Sequence, residues 1–344
     1  MSVTQPPPVA IQAHGLRKSF RIKDQVVEAV SGLELTITEA QIFGFLGPNG
    51  AGKTTTLRIL TTLLPADAGE AFVAGVDVMR SPQQVRRRIG YVGQLGGADA
   101  SATGLENLLL QARLYGLTAT AAATRAKELI ELFDLSAFAG RVVRSYSGGQ
   151  RRRLEVALGI LHHPQVLFLD EPTTGLDPQN RANLWNHVRQ LRDSGTTVIL
   201  TTHYLDEADQ LSDRLAIIDR GHVIAEGTPA QLKQRYSGDT IIITPAELPG
   251  SLQSLEQDLA SAPFIRTAQI QDASIRLSVT DATRSMAAVF SMLADKGIAV
   301  RAASLAQPSL DDVFLHETGR SLRDAGEPSG GPATKEPAGE QVAA

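Results

Sequence analysis

The sequence predicts an α/β domain with a largely parallel sheet over residues 11–235, followed by a small α+β domain over residues 236–318. Three observations carry this reading. Short β-branched runs alternate with amphipathic helical patterns as far as residue 235, the rhythm of strand–helix–strand units. Between about residues 96 and 145 the strands stop and helical patterns alone continue, as in an all-helical lobe inserted into the sheet domain. After Tyr236 the order of patterns becomes βαββαβ, that of a ferredoxin-like fold. The flanks differ in composition. Residues 1–10, with Pro6-Pro7-Pro8, read as a flexible N-terminus. Residues 319–344 are Gly, Pro, Ala, Ser and charges without an aromatic residue, and are expected to be disordered. Removal of residues 321–344 is expected to be harmless.

Each element has a local justification. Ala40 to Leu46 reads as a buried strand running into a glycine-rich loop, and Thr55 to Leu60 as the helix beyond it. Arg88 to Val92 is the next strand. In the lobe, Thr103 and Glu106 make a capping box ahead of Leu105, Leu108, Leu109 and Ala112 at helical spacing. Thr120 is expected to cap an alanine-rich helix running to Phe133. A further helix begins near Arg151. Val166 to Leu169 is an apolar strand ending in Asp170 and Glu171, and Thr197 to Thr202 is a strand ending at His203. Asp177 followed by Pro178 is an N-cap with proline at the first helical position. In the second domain, Thr240–Ile243 is a strand and Leu252–Ala260 a helix. Residues 267–270 and 275–279 pair through a turn at residues 271–274. A helix from Asp281 to Lys296 places Met286, Val289, Phe290 and Leu293 on one face, ends at Gly297, and leads to a strand near Val300.

Bulk composition narrows the partners. The 344 residues carry 33 basic and 37 acidic side chains, a formal net charge of −4, which gives no reason to expect nucleic acid. There is no cysteine, which excludes disulfides and thiolate metal sites and suits a reducing compartment. The N-terminus lacks the basic and apolar regions of a secretion signal, and no apolar run approaches the roughly 18–20 residues of a membrane span. The expectation is a cytoplasmic chain that reaches a membrane through a partner. His162 and His163 precede a proline at a helix C-terminus, where positive charge is welcome; a zinc site is not expected there.

The chemistry is concentrated in one stretch. Gly47-Pro48-Asn49-Gly50-Ala51-Gly52-Lys53-Thr54 fits the pattern G-x-x-x-x-G-K-[ST], with Thr55 next. Glycines let backbone N–H groups curl around an oxyanion, Lys53 reaches the β- and γ-phosphates, and the Thr54 hydroxyl is placed to ligate Mg²⁺. The helix beyond the loop adds its positive N-terminal end. The pattern predicts a nucleoside triphosphate. The GTPase base-reading motif Asn-Lys-x-Asp is missing, which favours ATP.

Further elements follow in a fixed order. Tyr146-Ser147-Gly148-Gly149-Gln150 lies about a hundred residues after the loop, Asp170-Glu171 ends a strand, and Gln94 follows another. Together these residues resemble the ATP-binding subunits of ABC transporters over residues 11–235, a P-loop NTPase fold with a helical lobe. The resemblance implies that Ser147, Gly148, Gly149 and Gln150 cap the γ-phosphate held by a second subunit. It further implies that Asp170 holds Mg²⁺ through its water shell and that Glu171 is the general base. Gln94 would contact Mg²⁺ and the attacking water, His203 would contact the γ-phosphate, and Asp177 would lie in a loop crossing the dimer interface. Phe20 stands where the family stacks an aromatic on adenine, with a strand-core role as the less favoured alternative. Tyr146 departs from the leucine commonest in the family, but export-type members tolerate tyrosine.

Arg151, Arg152 and Arg153 read as a solvated face with partners such as Glu155, although cations there oppose the helix dipole. Pro308-Ser309-Leu310-Asp311-Asp312-Val313-Phe314-Leu315 with Thr318-Gly319-Arg320 looks like the closing motif of the daunorubicin-resistance ATP-binding proteins, while Leu310, Val313 and Phe314 also read as a helix docking on a core. The implied function is ATP hydrolysis in a homodimer that drives drug export through a separate transmembrane permease. The alternatives are an ABC-type ATPase acting on DNA or ribosomes, against which stand a single phosphate loop and no sustained heptads, and a non-hydrolysing regulator, which would lose Glu171 or Ser147.

Overall fold

Three sheets organise the chain. A computed structural model describes residues 8–22, 25–236, 239–246, 252–271, 274–279, 281–306 and 309–322. In chain order, β1 (Val9–Ile22) and β2 (Gln25–Thr38) form a long hairpin, β3 (Ile42–Leu46) enters the glycine-rich loop, and α1 (Lys53–Leu60) leaves it. β4 (Ala68–Val73), β5 (Val76–Asp77), α2 (Pro82–Arg88) and β6 (Ile89–Val92) lead to the lobe helices α3 (Gly104–Leu114) and α4 (Ala119–Leu132). Then come α5 (Gly148–Gly159), β7 (Val166–Asp170), α6 (Pro178–Asp193), β8 (Thr197–Thr202) and α7 (Leu205–Leu211). β9 (Arg214–Asp219), β10 (His222–Gly227) and α8 (Pro229–Tyr236) complete this part. The remainder is β11 (Asp239–Pro245), α9 (Leu252–Ala260), β12 (Ile265–Gln271), β13 (Ser274–Val279), α10 (Ala282–Asp295), β14 (Val300–Ala306) and α11 (Leu310–Thr318).

The central sheet has the order β10-β9-β3-β8-β7-β6 and is parallel except at its β10 edge. Every residue of β3, β7 and β8 is buried, as strands covered on both faces require. Alternate side chains serve different cores. Ile42, Leu167 and Leu169 face the lobe with Leu108, Phe133 and Leu154. Phe43, Phe45 and Phe168 face α1 and the antiparallel sheet β2-β1-β4-β5, among Ile11, Leu16 and Ile37. The third sheet, β12-β13-β11-β14, is antiparallel throughout and carries α9 and α10, the expected ferredoxin-like arrangement.

Several expectations change. The cap of α4 is Thr118, whose hydroxyl accepts from the Ala121 N–H, so Thr120 lies inside the helix. α5 begins at Gly148 rather than near Arg151, because Ser147 and Gln150 form a reciprocal capping box. Phe290 is 38% exposed and lies off the core stripe of Val289 and Leu293. Of the N-terminal segment, Val9 pairs with Thr38 in β1 and Ala10 is buried; residues 1–7 lie outside the described residues, as do residues 272–273 of the proposed hairpin turn.

The largest change is at the C-terminus. α11 docks on a core as its stripe predicts, but that core belongs to the central sheet. Leu310, Val313 and Phe314 pack among Leu46 of β3, Leu215 and Ile217 of β9, Ala208 of α7 and Leu232 of α8. Residues 319–322, expected to be disordered, are held as well. Arg320 pairs with Asp219 at 2.9 Å, Ser321 and the Leu322 N–H bind Asp311, and the Leu322 side chain joins the same cluster. From the ferredoxin-like sheet, Arg276 reaches Asp312 at 3.2 Å and ties it to this helix. Residues 323–344 lie outside the described residues.

Candidate functional site

The site lies at the carboxyl ends of β3, β7 and β8, where parallel sheets bind ligands. Gly52 caps α1 with φ of 107°, and a Cβ there would stand 2.1 Å from the Ala29 carbonyl oxygen, so only glycine fits. Asn49 to Thr55 line a cleft of about 200 Å³ together with Gln94 and Glu171. Gly47 and Pro48 accept hydrogen bonds from Lys53 Nζ at 2.6 and 2.9 Å.

Lys53 is buried, and burial lowers its pKa from 10.5 to about 8 against the opposing pull of Glu171 and Asp170. The sign for binding follows. Below about pH 8 the ammonium is already present; above it, ATP binding must take up a proton, so affinity falls by about tenfold per pH unit until the pKa of the complex is reached. Calorimetric titration at pH 9 in two buffers of different ionisation enthalpy is expected to show proton uptake near one per site, and none at pH 7. Equal heats after buffer correction at both pH values would remove Lys53 from the linkage.

Asp170 is fully buried and accepts from Thr54 Oγ1 at 3.0 Å and Thr201 Oγ1 at 2.6 Å. Thr201 stands opposite Asp170 in the β7–β8 ladder, and its hydroxyl also accepts the Glu171 N–H at 2.9 Å. One side chain thus fixes both acids. Glu171 has φ of 45°, a left-handed conformation that costs an ordinary residue about 1–2 kcal/mol and turns it off the strand line. Its carboxylate meets Thr174 Oγ1 at 3.2 Å and His203 Nδ1 at 3.4 Å, the latter long for a hydrogen bond. The His203 contact holds its pKa below the ordinary glutamate value although partial burial pushes the other way. Near neutral pH it is therefore ionised, as a base must be.

The donor set fits Mg²⁺. This ion takes hard oxygen ligands, one or two carboxylates, and keeps several waters beside substrate phosphates. Asp170 and Thr54 are adjacent and Gln94 lines the same cleft.

Other expected site residues lie apart from this cleft. Ser147 accepts from the Gln150 N–H at 3.3 Å, and the Gln150 side chain returns to the Ser147 N–H at 3.0 Å. Gly148 opens α5, and Gly149 is pressed against Asn180, which Asp177 caps at 2.9 Å. Ser147, Gly149, Gln150 and Asp177 are absent from the cleft lining. Phe20 is 37% exposed on β1, with Lys18 Nζ 5.7 Å from its ring centroid, so the strand-core alternative is excluded.

Two residues escaped the sequence reading. Thr201 was hidden in an ordinary β-branched strand; its register opposite Asp170 is a tertiary fact. Arg152 was read as solvated, yet it is buried and bonds to the Gly93, Asp170 and Pro172 carbonyls, with Glu155 buried beside it. Only the unusual cost of a cation in the first turns of a helix hinted at this.

Known proteins resemble this chain over most of its length. A family model described as ABC transporter matches residues 30–174, and one described as ATP-binding protein DrrA1-3-like, C-terminal domain, matches residues 227–318. The daunorubicin resistance ATP-binding protein DrrA3 of Streptomyces coeruleorubidus is 46% identical over 317 residues, covering 91% of this chain and 97% of the relative. The daunorubicin/doxorubicin resistance ATP-binding protein DrrA of Streptomyces peucetius is 43% identical over 318 residues, covering 92% and 95%. The linearmycin resistance ATP-binding protein LnrL of Bacillus subtilis (strain 168) is 34% identical, covering 91% and 100%. Among solved structures, a dimeric bacterial ABC transporter cassette aligns with a TM-score of 0.59 at 25% identity, over 63% of this chain and 98% of the cassette. The chain belongs to the ATP-hydrolysing, ATP-binding proteins of ABC transporters, in the daunorubicin-resistance family.

Proposed function

We propose that this chain hydrolyses ATP to energise export of a drug-like, lipophilic compound through a separate membrane-spanning permease. Two copies would act as a homodimer, peripheral to the cytoplasmic face of the membrane. No helix among the described residues is long and apolar enough to cross a membrane, so the transport path is assigned to the partner. Relatives named for daunorubicin and linearmycin resistance support the substrate class.

The residues take the following parts. The loop from Gly47 to Thr55 cradles the phosphates, with Lys53 neutralising the β- and γ-oxygens. Asp170, Thr54 and Gln94 would hold Mg²⁺, Asp170 through its water shell, and the ion would offset the charge that develops on the phosphate oxygens. Glu171 orients the attacking water and accepts its proton; His203, 3.4 Å away, keeps that carboxylate in place. Phe20, exposed, stacks on adenine. Ser147 and Gly149 sit at a helix N-terminus suited to an anion, and serve the phosphate bound by the second copy across the loop of Asp177.

The observation that carries the transport reading is an apolar shelf beside Gln94. A cavity of about 600 Å³ is lined by the apolar Leu63, Leu95 and Leu158 together with the polar Arg58, Gln94 and Glu155. Leu95 in its lining is 94% exposed, and on α3, which lends Gln111 to the lining, Leu114 is 73% and Leu110 58% exposed, free apolar surface of the kind that seats a protein partner. An ATPase working on DNA would leave this shelf without an occupant. Leu114→Asp, far from the phosphates, is expected to leave basal ATP hydrolysis within about twofold and to reduce membrane recovery and ATP-dependent efflux at least tenfold when co-expressed with the permease. A single solvated aspartate in a desolvated contact is sufficient for that loss. Undiminished efflux would remove the shelf, and with it the main support for transport.

A further inference from the structure

Arg152 lies on α5, the helix that Ser147 caps, and its guanidinium is spent on backbone. Nε donates to the Pro172 carbonyl at 2.8 Å, Nη1 to the Gly93 carbonyl at 2.8 Å, and Nη2 to the Asp170 carbonyl at 3.1 Å. Glu155, one turn on, balances the buried charge at 3.2 Å. These three carbonyls have one thing in common. Gly93 immediately precedes Gln94, while Asp170 and Pro172 stand on either side of Glu171. The left-handed backbone of Glu171 lies between two carbonyls that share one guanidinium. The peptide joining Asp170 to Glu171 is gripped at both ends, its carbonyl by Arg152 and its N–H by Thr201. The loop beyond Gln94 is gripped too: a Cβ on Gly96 would fall 1.9 Å from Glu155 Oε1, so this loop packs directly on the Arg152–Glu155 pair.

We propose that Arg152 is a positioning residue for hydrolysis. Through its planar fork, α5 sets the backbone of the base Glu171 and of Gln94 together, so that a displacement of this helix is felt at both. The inference rests on the assignment of Glu171 as base and Gln94 as a water and metal contact. The fork matters because three carbonyls arrive from different directions; a lysine supplies charge and donors from one point and cannot meet all three. A misplacement near 1 Å of a group that orients the nucleophile costs about a hundredfold in rate, whereas phosphate binding by the loop and Lys53 does not pass through these carbonyls.

The test uses full-length Arg152→Lys, Glu155→Gln and Glu171→Gln proteins beside the parent. Thermal unfolding, affinity for a fluorescent N-methylanthraniloyl ATP, and kcat and KM for ATP are measured for each. Arg152→Lys is expected to lower kcat by about 10- to 100-fold with nucleotide affinity and KM held within about threefold. Glu155→Gln, which keeps an acceptor of the same shape, is expected to lower kcat by about three- to tenfold at unchanged affinity. A kcat for Arg152→Lys within twofold of the parent overturns the proposal. So does a parallel fall in kcat, affinity and melting temperature, which is what a merely structural arginine gives. Should Arg152→Lys fail to fold, Glu155→Gln decides: an unchanged kcat overturns the proposal and a selective fall supports it. Glu171→Gln separates the two levels, since turnover surviving in that variant refutes the base assignment itself.

Discussion

Glu171→Gln is expected to bind ATP as the parent does and to lose turnover by about 10²–10⁴-fold, the range for removing a general base. The substitution is close to isosteric. Its N–H bond to Thr201 is a backbone contact and survives, and so does the turn that sets the side chain. What disappears is the ionised carboxylate that His203 holds below its ordinary pKa. Because closure on ATP no longer ends in hydrolysis, the variant should accumulate as an ATP-bound dimer. Phosphate release measured beside size-exclusion chromatography checks both halves. Turnover equal to the parent would take Glu171 out of the mechanism, and a strictly monomeric, ATP-saturated variant would take the dimer out of it.

Phe314→Ala is expected to destabilise the nucleotide-binding part of the molecule, although Phe314 lies some 260 positions beyond the phosphate loop in sequence. The ring is fully buried, in a cluster that includes Leu46 at the end of β3, Leu215 and Ile217. Truncating a buried phenylalanine costs about 3–5 kcal/mol. In a domain of this size that lowers the melting temperature by roughly 6–20 °C. The same logic corrects the expectation that residues from 321 onward are dispensable. A chain ending at Leu322 should melt like the full-length protein. One ending at Thr318 loses the Arg320–Asp219 pair and the buried Leu322, and should melt several degrees lower. Calorimetry of the three variants, with ATP affinity measured in parallel, decides. Equal melting temperatures for both truncations would mean that residues 319–322 only rest on the surface.

What the sequence disclosed and what it hid divide along the range of the interactions. The phosphate loop, the capping boxes at Thr103 and Ser147 and the Asp177–Pro178 start of α6 are settled within four residues, so their patterns were readable. The apolar strands ending in Asp170-Glu171 and His203 were readable because burial on both faces leaves a continuous signature. The cap expected of Thr120 falls two positions earlier, on Thr118, as helix starts often shift where several hydroxyls compete. Arg152 and Thr201 depended on carbonyls and carboxylates brought in from other strands, and no spacing encodes that. α11 had the right stripe, but a stripe does not name its partner. Nothing in Leu310, Val313 and Phe314 says that they face β3 and β9 rather than the sheet next to them in sequence.

The placement of α11 also orders events in time. Leu46 is made early, but the groove it shares with Leu215 and Ile217 exists only once β9 has been made, and the α11 side chains that cover it are nearly the last of the described residues to be translated. At about 5–20 residues per second, the interval between β9 and α11 is on the order of ten seconds. Throughout it, the nascent sheet carries an uncovered apolar groove directly behind the phosphate loop. During that interval the growing chain is a natural client for chaperones. A message cut short before the last helix would yield not a smaller working ATPase but a sticky one, marked for removal by the groove it cannot close.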